Sequence, residues 1–313
     1  MIYDLPTTTT NAINHKLVDL RNSGGAVALS RVLTLVVVSD EHEIDDAITT
    51  ANGASREHPC RVLAIATGNR RGASRLDAQI RIGGDAGASE VIVLRMYGPL
   101  ASHGQSVIVP LLLPDAPIVV WWPQDCPDIP AEDPIGRMAQ RRITDSGGAK
   151  NPIRAIQHQA TTSRPGDTDL AWSRLTRWRA LLAAALDQPP YEPVTKATVS
   201  GASDSPSAEL LAAWLALALR CPVSRKRTAA GTGITGVTLV RDSGKVILER
   251  PDGNVATLLQ PGQPERRIAM AKRGDVDCLT EELRRLDPDE LFGEVLTKGL
   301  ELLHPAKKTG ASA

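Results

Sequence analysis

The residues able to do chemistry are few and scattered. Six histidines stand at positions 15, 42, 58, 103, 158 and 304, with no HxxxH or HxH spacing. None lies near a cysteine at zinc-ligand spacing, so no metal site is expected. There is no GxSxG elbow and no GxxxxGK[ST] phosphate loop. The densest titratable stretch is Arg56-Glu57-His58-Pro59-Cys60-Arg61. His58 with Glu57 could exchange protons with a substrate, at a helix-to-strand junction of the kind where α/β folds bind ligands. The bland alternative is that Arg56, Glu57 and Arg61 form ion pairs that tie down a loop or an interface. Gly231, Gly233 and Gly236 spell GxGxxG. A dinucleotide site needs a strand before those glycines and a helix after them, whereas SRKRTAA precedes and VTLV follows, so a flexible loop is expected. The basic run 224–227 has no interleaved aromatics and reads as a solvated loop rather than a nucleic-acid patch.

Two further groups suit binding better than catalysis. Trp121 and Trp122 close a strand before Pro123, so their indoles point to opposite faces. One is expected in the core, the other at the sheet's edge as a domain or partner contact. Arg174 and Arg177 share a helix face opposite an apolar stripe, which suits solvated charge, a protein partner or a phosphate ligand.

Composition limits the classes. Lys plus Arg equals Asp plus Glu at 36 each, so no overall field gathers nucleic acid or acidic membrane. No apolar run approaches the roughly 18 residues of a membrane span. The start, MIYDLPTTTT, lacks the basic and apolar regions of a signal peptide. The four cysteines, at 60, 126, 221 and 278, have no CxxC spacing and read as reduced cytoplasmic thiols.

The elements that must position these groups follow from periodicity. At 313 residues the chain suits two domains of about 150 residues each. A capped helix is expected at 10–22, a buried strand at 27–38, a helix at 41–54 and a strand at 60–67. Strands at 78–82 and 90–96 flank a glycine turn at 83–87. A helix at 99–113, a strand at 117–122, a short helix at 135–140 and a short strand at 141–144 complete an α/β domain, 1–165, with a flanked sheet and βαβ units. A possible helix at 152–159 precedes the turn-rich connector.

Residues 169–186, DLAWSRLTRWRALLAAAL, place Leu170, Trp172, Leu175, Trp178 and Leu182 on one stripe. They predict a continuous helix about 25 Å long, capped by Thr168 or Asp169 and bridging the two halves. The second domain, 166–305, then reads as α+β. It has a strand at 194–200, an apolar helix at 207–219, an antiparallel meander at 237–241, 245–250, 255–260 and 266–270, and closing helices at 276–286 and 288–303. Residues 306–313 read as a frayed tail.

Several stretches, in order, resemble the OpcA proteins, a family named for assembly of glucose-6-phosphate dehydrogenase. They are GGAVALSRVLTLVVV, ASREHPCRV, VIVPLLLPDAPIVVWWP, RRITDS and DLAWSRLTRWRALL, and the actinobacterial branch is the most similar. RRITDS is more polar than the family pattern. The resemblance implies a non-catalytic, cytoplasmic activator without cofactor or metal that binds the dehydrogenase and favours its active oligomer, supporting NADPH supply. The motif residues Arg56, Glu57, His58, Pro59, Asp145, Ser146, Trp172 and Trp178 are expected to be structural or interfacial. Trp121, Trp122, Arg174 and Arg177 are the expected partner contacts. The alternatives are a sugar-phosphate enzyme, lactonase- or isomerase-like, using His58 and Glu57, and a nucleotide sensor using 231–236.

Overall fold

The computed structural model describes residues 1–23, 31–83 and 90–305. In chain order the first elements are β1 (Ile2–Leu5), α1 (Thr10–Ser23), β2 (Leu33–Asp40), α2 (Ile44–Ala54), β3 (Cys60–Thr67), β4 (Arg75–Ile82) and β5 (Glu90–Tyr97). After them come α3 (Gly104–Ile108), β6 (Ile118–Trp122), β7 (Arg141–Thr144), α4 (Pro152–Thr162), β8 (Asp167–Asp169), α5 (Leu170–Ser173) and α6 (Thr176–Leu186). The remainder is β9 (Lys196–Ala202), α7 (Pro206–Leu219), β10 (Val223–Thr228), β11 (Ile234–Arg241), β12 (Gly244–Glu249), β13 (Val255–Leu259) and β14 (Arg266–Ala269). The helices α8 (Asp275–Leu283), α9 (Glu290–Glu294) and α10 (Leu300–Leu303) close the chain. The α/β class is as expected: an eight-stranded mixed sheet with helices and a six-stranded, mostly antiparallel sheet.

Contacts divide the chain into two units. The first comprises Met1–Asp145, Gly166–Thr168 and Asp275–Pro288. Its sheet runs β1-β4-β5-β3-β2-β6-β7-β8. Strands β5, β3, β2, β6 and β7 are parallel, and β1 and β4 add an antiparallel edge. The β-branched runs LTLVVV and RVLAIAT occupy the centre, buried on both faces. The chain does not cross once at 165. Residues 146–165 belong with the second unit, while α8 returns to the first, packing on α2. There the buried Arg141 pairs with Glu282 and donates to the Asp287 carbonyl.

Several local expectations need correcting. The second strand begins at Leu33, and residues 27–30 of the expected run lie outside the described residues, as do 84–87 of the glycine turn and 306–313. Residues 99–113 are not one helix but α3 between two 3-10 turns, Gly98–Ser102 and Val109–Leu111, because Pro110 lacks the N–H that a continuing ladder needs. The short helix expected at 135–140 is a 3-10 turn, Gly136–Met138. Strand β1 was not expected at all.

The second unit comprises Ser146–Pro165, Asp169–Gly274 and the chain from Asp289. Its sheet runs β10-β9-β11-β12-β13-β14. The meander β11 to β14 is antiparallel as expected. The basic run 224–227 is not a loop but lies in the edge strand β10, parallel to β9. Arg225 turns inward to pair with Glu209 at 2.8 Å, while Lys226 is exposed, which suits an edge strand. One sheet face, with Val199, Val237, Leu239, Val246, Leu248 and Leu258, joins α6 and α7 in one core. The last helical stretch is interrupted by a π-turn, Val295–Gly299, where a Cβ on Gly299 would lie 2.9 Å from the Ala213 carbonyl. Only glycine lets it close so tightly on α7.

A buried ion cluster clamps the amino ends of the first sheet. Glu90 is fully buried and in register with Arg61. It accepts from Arg61 at 2.8 Å, and it pairs with Arg31 at 3.0 Å and Arg21 at 3.2 Å. Glu90→Ala leaves the buried Arg61 guanidinium without its carboxylate, so unfolding free energy should fall by about 3–5 kcal/mol. Urea denaturation checks this, and the double variant Arg61→Met/Glu90→Leu should recover most of the loss.

Candidate functional site

In the first unit, strands β3 and β5 lie on one side of β2 and β6 lies on the other, so the strand order reverses at β2. Open α/β sheets bind ligands at the carboxyl ends of the strands beside such a reversal. A cavity of about 620 Å³ stands there, lined by Val38–Asp40 positions of β2, Thr67 of β3, Met96 of β5 and Trp122 of β6, with Arg70, His103 and Cys126 from loops. Its lining is of mixed charge, with Asp40, Asp125 and Asp133 beside Arg70. The turn from β2 into α2 adds Glu41 and Glu43, and the first turn of α2 adds Asp46 and Asp45, which pairs with Arg81 at 2.7 Å. Carboxylates in this turn disfavour a phosphate at the start of α2. Glu41 accepts the Tyr97 hydroxyl at 2.7 Å, which raises the Tyr97 pKa, with partial burial adding to the effect.

The Arg56–Arg61 motif lies at the opposite end. It joins α2 to the amino end of β3, whereas ligands in such sheets sit at the carboxyl ends. The alternative of a ligand site at this junction therefore finds no support in the sheet's geometry. Glu57 is exposed and pairs with Arg284 at 3.2 Å, and Arg56 is exposed. His58 keeps its buried Nε2 without a hydrogen-bond partner, and Pro59 is half-buried. Arg61 belongs to the Glu90 cluster, and burial lowers its pKa against the raising effect of Glu90. Glu57 and Arg61 are thus each engaged in an ion pair, Glu57 with Arg284 and Arg61 with Glu90.

The two indoles of β6 do face opposite ways: Trp122 joins the core with Ile65, Met96 and Ile135, and Trp121 does not. Yet both are only 2% exposed, because β6 is an interior strand between β2 and β7. Neither indole can be the partner contact expected of them.

In the second unit the motif residues converge on Asp169, which is fully buried. Its carboxylate accepts from the Ser146 amide (2.9 Å), the Ser146 hydroxyl (2.9 Å), Gln159 (2.8 Å) and the Ala171 amide (2.9 Å). Ser146 is thus structural, and Asp145 beside it is buried. The Ala171 bond caps α5 and aims Trp172 inward. The Trp172 indole donates to Asp289 at 2.9 Å, packs on Phe292 and takes Arg179 on its face. Trp178 is 1% exposed, with Arg250 over its ring at 5.1 Å.

Comparison with protein families now settles the kind of protein. Residues 51–161 match the glucose-6-phosphate dehydrogenase subunit N-terminal domain of OpcA, and residues 165–296 match the corresponding C-terminal domain. The chain belongs to the OpcA family. As a member it is a glucose-6-phosphate dehydrogenase assembly subunit with that enzyme as its partner, in the pentose phosphate pathway. A search of curated proteins finds no match.

Solved structures resemble it distantly. A 3-ketoreductase from Actinomadura kijaniata in complex with NADP is 9% identical, with 87% of this chain and 95% of that one covered and a TM-score of 0.48. A putative oxidoreductase from Magnetospirillum magnetotacticum is 11% identical over 86% and 99%, TM-score 0.46. Glucose-6-phosphate 1-dehydrogenase from Mycobacterium avium is 10% identical over 88% and 93%, TM-score 0.46. Likeness at this level says nothing of activity.

The OpcA motif helix is not the continuous bridge expected over 169–186. It is α5 and α6, separated at Arg174-Leu175. At the break the Ser173 carbonyl accepts from Arg273 at 2.7 Å, and a side chain bonding into the ladder is one cause of a turn in a helix. Trp172, Leu175, Trp178, Leu182 and Ala185 enter the second unit's core, with Leu181 and Leu186 packed against it. Arg174 lines a cleft and is half-buried, while Arg177 is exposed.

Sequence reasoning missed Glu90, Asp169 as a hub, and Arg250. A lone charge at the head of an otherwise apolar strand, as in EVIVLRM and CRVLAIAT, was the available signal. Asp169→Asn replaces an acceptor by a donor among four donors and should cost about 2–4 kcal/mol. Ser146→Ala should cost about 1 kcal/mol, and calorimetric unfolding of the second unit compares the two.

Proposed function

We propose that this OpcA protein does no chemistry of its own and activates glucose-6-phosphate dehydrogenase by binding its active oligomer more tightly than its inactive forms. An activator must have such a differential affinity, and its coupling is reciprocal. The family match over both domains carries this reading. The alternative enzyme on sugar phosphates loses its support, because Glu57 turns to Arg284 and His58 sits at the amino end of β3. We further infer action in the cytoplasm, where the dehydrogenase works. Among the described residues no helix is long and apolar enough to cross a membrane. The motif segments quoted above are the ground for placing the chain in the actinobacterial branch.

For the contact we propose the outer face of the six-stranded sheet, with Arg177 as a separate candidate and Arg174 beside it. Register puts Ser224, Thr198, Thr238, Ile247 and Leu259 in one cross-strand row. The row spans about 19 Å at the usual strand spacing. All five are part-exposed or exposed, and Lys196, Lys245 and Arg267 supply flanking charge. An uncharged centre with a charged rim suits a protein interface.

The first test titrates the purified dehydrogenase of the same organism with this protein across substrate concentrations. Saturable activation, by lower KM or higher kcat, is expected, with co-elution on a sizing column; no change and no co-elution overturns the reading. Thr238→Arg and Ile247→Arg should each weaken the complex at least about tenfold, the scale of a lost interface anchor, with Tm unchanged. If they bind like the parent while Arg177→Ala weakens binding, the contact moves to Arg177.

A further inference from the structure

The second unit contains a cleft that none of the family's described roles uses. It has a volume of about 230 Å³, and lies between the start of α7, the turn joining β10 to β11, and the segment after β14. Four cationic side chains line it, Arg174, Arg250, Lys272 and Arg273, against one carboxylate, Asp204. Asp204 is itself engaged, accepting the Gly231 amide at 3.1 Å. Gly231 and Gly233 have φ of +79° and +70°, a backbone that keeps side chains out of the turn and lets a ligand approach it. Ser205 caps the 14-residue helix α7 through the Ala208 amide. Pro206 at its first position has no N–H, and the Ala208 and Glu209 amides are bonded to Ser205, so the Ser207 amide and the positive end of the helix dipole are what the start of α7 offers a ligand.

The decisive residue is Arg250. It is only 6% exposed, yet it makes no ion pair among the described residues. Its Nη atoms reach only carbonyl oxygens, Met270 at 3.1 Å and Ile234 at 3.4 Å, and its Nε has no hydrogen-bond partner. The Trp178 ring supplies a polarisable face. Burial lowers the Arg250 pKa; the charge of Asp252, on an exposed turn, opposes this, and Arg177 adds to it. A buried cation without an anion is costly unless something compensates it, and here it faces a cleft lined by three more cations and a helix start.

We propose that this cleft binds a small phosphorylated ligand, with its phosphate held among Arg250, Lys272, Arg273 and the start of α7. The volume is below the roughly 300–1,000 Å³ of drug-sized sites, so it admits a phosphate with a small organic part and not a dinucleotide. The residues that hold the phosphate are not among those of the sheet face proposed for the dehydrogenase contact, and the test uses the full chain alone, so it can fail or succeed whatever the dehydrogenase titration gives.

Isothermal titration at constant ionic strength compares inorganic phosphate with a hexose 6-phosphate, with potassium chloride as control. Saturable binding of either is expected, with a raised Tm. Tighter binding of the ester would show that the organic part is also recognised, and equal binding that phosphate alone is. Lys272→Glu, at an exposed position, should weaken binding roughly tenfold or more, and Lys272→Arg should retain it. Arg250→Met should be no less stable than the parent without phosphate, and should lose the phosphate-dependent rise in Tm. If that variant fails to fold, the Lys272 pair still decides. No saturable binding by either phosphate, a Tm rise matched by chloride, or binding unaffected by Lys272→Glu overturns the proposal.

Discussion

The second unit hangs on one buried carboxylate. A fully buried Asp169 is tolerable only because four donors surround it, two from Ser146, one from Gln159 and one from the Ala171 amide. Those donors come from three separate stretches, so satisfying one charge joins the 146–148 turn, α4 and the start of α5. Once α5 starts at that point, helical geometry fixes the rest of the motif. Trp172 comes round to Asp289 and Phe292, and Trp178 comes under Arg250. The family motif is thus a folding instruction whose last consequence is the position of a buried cation.

The first unit solves a related problem differently. At the amino ends of its parallel strands charged groups are buried, and such groups need partners. Glu90 and Arg61 stand opposite each other at the heads of β5 and β3, with Arg31 and Arg21 completing the cluster. Arg61 also donates to the Leu111 carbonyl at 2.7 Å, which ties the segment before β6 to the same point. A buried pair of this kind contributes less to net stability than to uniqueness of register, since a slip of one residue would bury both charges unpaired.

These two networks explain what could be read from the chain and what could not. The apolar runs LTLVVV, RVLAIAT, EVIVLRM and PIVVWW announced the central strands because burial on both faces needs unbroken hydrophobicity. Asp-Ser-Gly at 242–244 and Asp-Gly at 252–253 announced hairpins because their turns need those conformations. The break in the Trp helix left no trace, having neither Gly nor Pro. At the break the Ser173 carbonyl accepts from Arg273, a hundred residues away. Strand β10 looked like a loop because its charges are paired or exposed only once β9 and α7 are beside it. The role given to Trp121 and Trp122 failed for a similar reason: the short strand at 141–144 was legible, but that it pairs with β6 and makes it an interior strand depends on the sheet order, which no local pattern carries. Local pattern finds elements, and non-local partners decide which residues remain at the surface.

The same logic bears on function. The first sheet has a strand reversal at β2, and the chain that follows carries carboxylates at Asp40, Glu41, Glu43, Asp45 and Asp46, which disfavour an anion at the start of α2. Positive charge is gathered instead in the second unit, around Arg250, where the GxGxxG glycines shape the turn without being followed by a helix. The start of α7 comes from elsewhere in the chain to complete the cleft. The context of these glycines pointed to a loop rather than a dinucleotide fold, and Gly231 and Gly233 do stand in the turn between β10 and β11, on one wall of the cation-lined cleft.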